Sequence, residues 1–205
     1  MVVAIVNQKG GVGKSTIAVH LAGWLREKAT ETVLVDSDRQ KSSSGWLARI
    51  DPAFPAEVLW EADEILDAID GLVERYTHVV LDGPGALSEV TRTLMLVADV
   101  AVIPITPSAL DVTAAMETLR QTEHAQKIRN GQPRVLVIPN RYQSNTILSR
   151  DLVEAFQTRG IETTEPIPAR VGIAGAATTG DFAWRGDRGL RERFDSIFNQ
   201  ITKEL

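Results

Sequence analysis

The sequence predicts an α/β fold, a mostly parallel twisted sheet with helices on both faces, and three observations carry that expectation. Short Val/Ile/Leu-rich runs alternate with longer stretches of helical period from one end of the chain to the other. The runs Val79–Leu81, Val100–Ile105 and Val135–Ile138 are continuously apolar, as strands covered on both faces are. No internal repeat, Pro- or Ser-rich linker or compositional break divides residues 1–205, so a single domain is expected.

Taken in order, Val2–Val6 reads as the first strand and Lys14–Lys28 as the first helix, with Ile17, Leu21, Trp24 and Leu25 on one stripe. Thr32–Val35 is the second strand and ends at Asp36. Ser42–Leu47 opens a short helix, Val58–Trp60 is a brief strand, and Ile65–Tyr76 is an acidic helix. After the strand Val79–Leu81 come helix Glu89–Val97, strand Val100–Ile105, helix Thr113–Arg129, strand Val135–Ile138 and helix Thr146–Thr158. A strand is expected near Glu162–Glu165 and a last helix over Leu190–Lys203. Strands joined through helices in this way call for right-handed crossovers. Trp24, Trp46, Trp60 and Trp184 are assigned to packing.

Composition narrows the function. With 43% apolar and 24% charged residues the chain is ordinary globular material. The absence of cysteine excludes disulfides, zinc–thiolate sites, iron–sulfur clusters and thiol nucleophiles, and suits a reducing compartment. His20, His78 and His124 have no partners at metal-ligand spacing. No apolar run reaches membrane-spanning length, and Met1–Val6 lacks the basic leader of a signal peptide, so a cytoplasmic protein is expected. The net charge of −5 is unevenly spread. Residues 51–75 hold eight acids and one base, while 112–150 hold six bases against two acids. Bulk DNA coating is therefore disfavoured, but a basic face is allowed. Leu190, Phe194, Ile197, Phe198, Ile201 and Leu205 recur at helical spacing with balanced charges, Glu204 among them, which fits a docked helix better than a membrane-binding one.

The chemistry begins at Lys9-Gly10-Gly11-Val12-Gly13-Lys14-Ser15-Thr16, between the first strand and the first helix. Gly10, Gly11 and Gly13 let the backbone take positive φ and bring several N–H groups onto a phosphate. The helix that opens there adds its positive end. Lys14 reaches the β- and γ-phosphates, Ser15 offers its hydroxyl to Mg²⁺, and Thr16 bonds the α-phosphate. The strict phosphate-loop pattern needs glycine where Gln8 stands, and a lysine precedes the glycine pair instead. A nucleotide with Mg²⁺ is the implied ligand, and the strand, loop and helix in this order resemble the P-loop NTPases.

Lys9 to Thr16 resembles the deviant Walker A box of the ParA/MinD group of ATPases. The resemblance implies that Lys9 reaches across a dimer interface to phosphates held by the other subunit, so that ATP holds two subunits together. Asp36-Ser37-Asp38-Arg39-Gln40 is similar to the group's D-x-D-P-Q switch, with Arg39 in the proline's place. There Asp38 would orient the attacking water near the metal and Asp36 would lie close to the Mg²⁺ sphere; capping of the Ser42–Leu47 helix by these acids is the alternative. Val79–Gly85 resembles Walker B, in which Asp82 would hold Mg²⁺ through a water, with Gly83 and Gly85 flexing near the γ-phosphate. Ile103–Ser108, continuing into Leu110-Asp111, resembles a segment leading to the dimer face, or is a proline-shaped, capped turn. Asn140 stands where the group reads the adenine edge, and Pro168 lies in a loop expected against base and ribose.

Of this group, the resemblance favours a small partition ATPase of the ParA/ParF sort, and the start of the chain at the strand itself implies no DNA-reading domain before it. Its expected function is ATP-dependent dimerisation, non-specific DNA binding, stimulation by a cargo-bound ParB-like adaptor, and segregation of plasmid or chromosomal DNA on the nucleoid, without stable membrane association. Candidate DNA contacts are Arg120, Lys127, Arg129, Arg150, Arg185, Arg188 and Arg191. The alternatives are a positioning ATPase for a protein cargo, such as a microcompartment or chemosensory cluster, and a metabolic P-loop kinase or ligase.

Overall fold

In a computed structural model describing residues 1–203, six parallel strands form one sheet in the order β3-β2-β4-β1-β5-β6. Leu205 and Glu204 lie outside the described residues. The strands are β1 (Val2–Ile5), β2 (Thr32–Asp36), β3 (Ala56–Val58), β4 (His78–Asp82), β5 (Val100–Ile105) and β6 (Arg134–Pro139). The helices are α1 (Lys14–Glu27), α2 (Ser42–Ile50), α3 (Ala62–Arg75), α4 (Glu89–Val97), α5 (Ala109–Ile128), α6 (Ile147–Gln157), α7 (Val171–Thr179) and α8 (Arg188–Thr202).

Successive side chains of a strand point to opposite faces, and here both faces are covered. Val3, Ile5, Leu34, Val80, Val102 and Leu136 pack under α1, α2, α7 and α8. Val2, Ala4, Val6, Val33, Val35, Val79 and Leu81 pack under α3, α4, α5 and α6. Register pairs Ile5 with Asp82 and Asp36 with Asp82, so β1, β2 and β4 deliver their carboxyl ends to one place. In an open parallel sheet that crevice is where ligands bind.

On the first face α1 is fixed by an aromatic knot. His20 is fully buried, stacked on Phe194 and edge-on to Trp46, Phe182 and Trp184. Its Nε2 accepts from the Ala183 N–H at 2.9 Å, so Nδ1 carries the proton and donates to the Thr16 carbonyl at 2.6 Å. Gly23 is required here, because a Cβ would overlap the Phe182 ring. The last helix docks as expected, with Leu190, Phe194, Ile197, Phe198 and Ile201 buried and Trp24 Nε1 donating to Asp195 at 2.7 Å. Trp24, Trp46 and Trp184 are core residues, and Trp60 is half-buried.

Several expectations change, among them the starts of α3 and α8, which lie at Ala62 and Arg188, three and two residues earlier than expected. Residues Glu162–Glu165 form no strand; they touch β6 through a single bridge from Thr163 to Val137. Pro166 and Pro168 follow, and neither has an N–H with which to extend a ladder. Helix α7 occupies a stretch in which no helix was expected. Helix α5 begins at Ala109, four residues before the expected Thr113, so Asp111 sits in its first turn. The edge strand β3 lies at Ala56–Val58, two residues earlier than expected.

Candidate functional site

The phosphate loop leaves β1 and turns into α1 through Gly11 (φ 78°) and Gly13 (φ 101°), both in the left-handed region that glycine tolerates. Gly13 is doubly constrained, since a Cβ there would also overlap Asn140 Nδ2. That amide donates to the Val12 carbonyl at 2.7 Å, and Asn140 Oδ1 accepts from the Arg141 N–H at 2.9 Å. Asn140, expected to read adenine, thus braces the phosphate loop with its Nδ2, while its Oδ1 is turned to its own backbone neighbour. It also lines a cavity of about 180 Å³ with Gly13, Thr16, Pro168, Arg170 and Ile173.

Residues outside the motif anchor the loop. Asn7 Nδ2 donates to the Pro104 carbonyl at 2.8 Å, and Gln8 Nε2 to the Ala114 carbonyl at 3.1 Å on α5. Gln8, the departure from the strict pattern, therefore ties the loop to the helix that follows the Ile103–Ser108 segment. Lys9 pairs with Asp111 of its own chain, and Thr106 Oγ1 donates to the same carboxylate. Asp111 is buried, whereas the Lys9 side chain is 37% exposed. Neither Ser108 nor Asp111 caps α5 with its side chain; the Thr106–Asp111 turn instead holds the lysine that the resemblance assigns to the partner's phosphates.

Lys14 is buried, and its Nζ donates to the Lys9 carbonyl at 2.9 Å. Burial lowers its pKa, opposed by the charges of Asp82 and Asp38. Both acids therefore lie near the Lys14 ammonium. Gly85 crosses the loop closely: a Cβ there would meet Gly10 Cα at 3.2 Å and Lys14 Nζ at 3.7 Å.

Asp82 is fully buried and neither carboxylate oxygen has a hydrogen bond. Burial pushes its pKa up to about 7, opposed by the Ser43 and Ser15 hydroxyls that lie against it. An orphaned carboxylate beside a serine hydroxyl and the phosphate lysine is the donor set of a hard, oxygen-seeking cation held partly by phosphate and water, so the residues fit Mg²⁺. Among the described residues there is no all-protein cluster of three or more His, Cys, Asp or Glu ligands. Asp36 is occupied otherwise: it accepts from the Asp38 N–H at 3.1 Å and from the N–H and hydroxyl of Ser44 at 2.9 and 2.8 Å. The capping alternative describes Asp36. Asp38 is half-buried and accepts from the Gln40 N–H at 2.9 Å. Arg39 pairs with Glu61 at 2.8 Å, and Lys41 stacks over Trp60, so this loop is held to the sheet edge without the proline.

The seven basic candidates do not form one patch. Arg120, Lys127, Arg129 and Arg150 belong to α5, its end and α6 on one face of the sheet; Arg185, Arg188 and Arg191 lie at α8 on the other. Arg129 bonds the Ala98 carbonyl and Arg191 is held by Glu27 and Asp195, so both serve internal contacts. Arg120, Arg185 and Arg188 each pair with an acid one turn away. Lys127 and Arg150 are exposed and carry no ion pair among the described residues.

Comparison with known proteins places this geometry. Residues 3–182 match the CobQ/CobB/MinD/ParA nucleotide binding domain. The chain is 37% identical, over its whole length and 93% of the relative's, to "Maintenance of carboxysome distribution protein A" of Gloeobacter kilaueensis. To the chromosome-partitioning ATPase Soj of Thermus thermophilus it is 26% identical over 73% of each chain. An ATP complex of McdA from Cyanothece shares its fold with a TM-score of 0.83 at 16% identity, covering 100% of this chain and 97% of the other. A Mg-ADP complex of the septum site-determining protein MinD from Pyrococcus horikoshii gives 0.73 at 18%, covering 98% and 96%.

Proposed function

The chain belongs to the CobQ/CobB/MinD/ParA nucleotide-binding family, and on that premise we propose that it is an ATP-hydrolysing positioning ATPase whose cargo is a protein assembly of the carboxysome kind. One observation carries this choice of cargo over plasmid or chromosome. The likeness to a carboxysome-distribution protein runs the full length of the chain at 37% identity, while the likeness to chromosome-partitioning Soj stops at 73%. DNA segregation, the first expectation from the sequence, thereby yields to its alternative.

The cycle follows from the residues. Backbone N–H groups of Gly10 to Thr16 and the N-terminus of α1 cradle the phosphates, Lys14 exchanges the Lys9 carbonyl for a phosphate oxygen, and Asn140 holds the loop in shape. Ser15 and Asp82 would hold the metal, with Asp38 near it. The Mg²⁺ ion, when bound, offsets charge on the β- and γ-phosphates. Asp38 orients the attacking water. Lys9 leaves Asp111 and reaches the phosphates of a second copy, so dimerisation reports the γ-phosphate. Adenine and ribose rest against Pro168 and Asn140 in the small cavity. The ATP-bound dimer tracks along nucleoid DNA through backbone phosphates, with Lys127 and Arg150 as the contacts retained from the sequence analysis, and a cargo-bound adaptor stimulates hydrolysis.

Deletion of the gene in its host, with microcompartment shells fluorescently marked and a low-copy plasmid followed in parallel, tests the assignment. The expected result is clustered shells with unchanged plasmid inheritance. Evenly spaced shells, or plasmid loss alone, overturns the cargo assignment.

A further inference from the structure

Ser43 stands apart from every role assigned so far. Helix α2 opens at Ser42, and its first turn is fixed to the end of β2 because the N–H and hydroxyl of Ser44 both donate to Asp36. Asp36 is in turn the register partner of Asp82. This arrangement directs the Ser43 side chain inward, where it is fully buried and its hydroxyl has no hydrogen bond. Its hydroxyl lies close enough to Asp82 to favour the ionised carboxylate, yet outside hydrogen-bonding geometry, and the two Asp82 oxygens have no other partner.

A buried hydroxyl and a buried carboxylate without partners are each costly, and alanine would fill the same helix position with higher helix propensity. Such groups are retained where a ligand or ordered water completes them. We propose that Ser43 is a positioning residue for the divalent cation that accompanies the nucleotide: with Asp82 it serves the cation's hydration shell, from a helix that carries no phosphate-binding motif. The inference rests on the reading that the chain binds Mg²⁺ with its nucleotide, and it adds a residue to that site.

Paramagnetic resonance titration of the full chain with Mn²⁺ in saturating ADP tests it, on wild type, Ser43→Ala, the near-isosteric Ser43→Cys and Ser15→Ala. We expect Ser43→Ala to weaken Mn²⁺ binding by about tenfold and Ser43→Cys by a smaller factor, as loss of groups behind metal ligands does. ADP affinity measured in EDTA, and the urea midpoint of the nucleotide-free protein, stay at wild-type values or, for the midpoint, rise. A role in packing alone would lower the midpoint and leave Mn²⁺ affinity unchanged. Mn²⁺ affinity within twofold of wild type in both Ser43 variants, with Ser15→Ala impaired, overturns the assignment of Ser43 and spares the metal site. Failure of the wild type itself to bind Mn²⁺ in ADP overturns the site.

Discussion

His20 provides a pH-sensitive test of how the nucleotide-binding helix is held. Its Nε2 must stay unprotonated to accept from the Ala183 N–H, and burial among four aromatic rings pushes its pKa from 6.5 down to about 4. The folded protein therefore excludes a proton that the unfolded chain takes up below pH 6.5. The stability contributed by neutral His20 is fully present above pH 6.5 and declines as the pH falls toward 4. At 1.36 kcal/mol per pH unit, the gap from 6.5 to about 4 amounts to about 3 kcal/mol. Asp82 complicates a simple pH scan, because its raised pKa works in the opposite direction between pH 4 and 7. Comparing wild type with His20→Gln removes that contribution from the difference. Urea unfolding of both proteins at pH 7.5, 6, 5 and 4.5 should show the wild-type advantage shrinking by about 2 to 3 kcal/mol over the range. A difference that stays constant within about 0.5 kcal/mol refutes the account of His20 as a buried neutral acceptor.

Three further outcomes are expected. Gly13→Ala strains a φ of 101° and overlaps Asn140, so it should abolish binding of a fluorescent ATP analogue and destabilise the fold by about 2 kcal/mol or more in urea. Ala29, at φ 57° in the turn that ends α1, donates to the Arg26 carbonyl at 2.9 Å, so Ala29→Gly should add about 1 kcal/mol and raise the thermal midpoint by about 2–4 °C. Asp111→Asn frees Lys9 from an ion pair worth about 1 kcal/mol, two of which break per dimer, and sedimentation should show ATP-dependent dimers forming at about thirtyfold lower protein concentration; an unchanged midpoint would mean that Asp111 does not restrain Lys9.

The parts legible in the sequence are those where local pattern and tertiary role coincide. Strand β5 and helix α4 have the boundaries the apolar runs give them, because continuous Val/Ile runs and a Ser88 cap leave little freedom. The phosphate loop was readable because glycine at positive φ, lysine and serine are all demanded at fixed positions by one anion. Helix α7 is hidden because Gly172 and Gly175 lower its propensity and its exposed Val171 breaks any amphipathic stripe; it forms where the chain turns back over the small cavity lined by Asn140 and Pro168. The expected strand at Glu162–Glu165 had the right residues but the wrong neighbours in Pro166 and Pro168. The resemblance separates Asp36 from Asp38, but the capping alternative covers both acids, and only the position of Ser44 shows that Asp36 is the one bonded to α2. The ion pair of Lys9 with Asp111 joins residues over a hundred positions apart, and Gln8 reaches the same helix; neither has a local signature. The split of the basic residues between two faces of the sheet is likewise a property of the topology, invisible in a charge count.

The central claim is that ATP joins two copies through Lys9, and light scattering of the purified chain in line with size exclusion tests it most directly. With ATP and Mg²⁺ the wild type should have twice the mass it shows with ADP, Lys9→Ala should stay at the single-chain mass in both, and Asp38→Ala should hold the ATP dimer for longer than wild type. A wild type that remains a single chain at saturating ATP, or a Lys9→Ala variant that doubles in mass as readily, would contradict it.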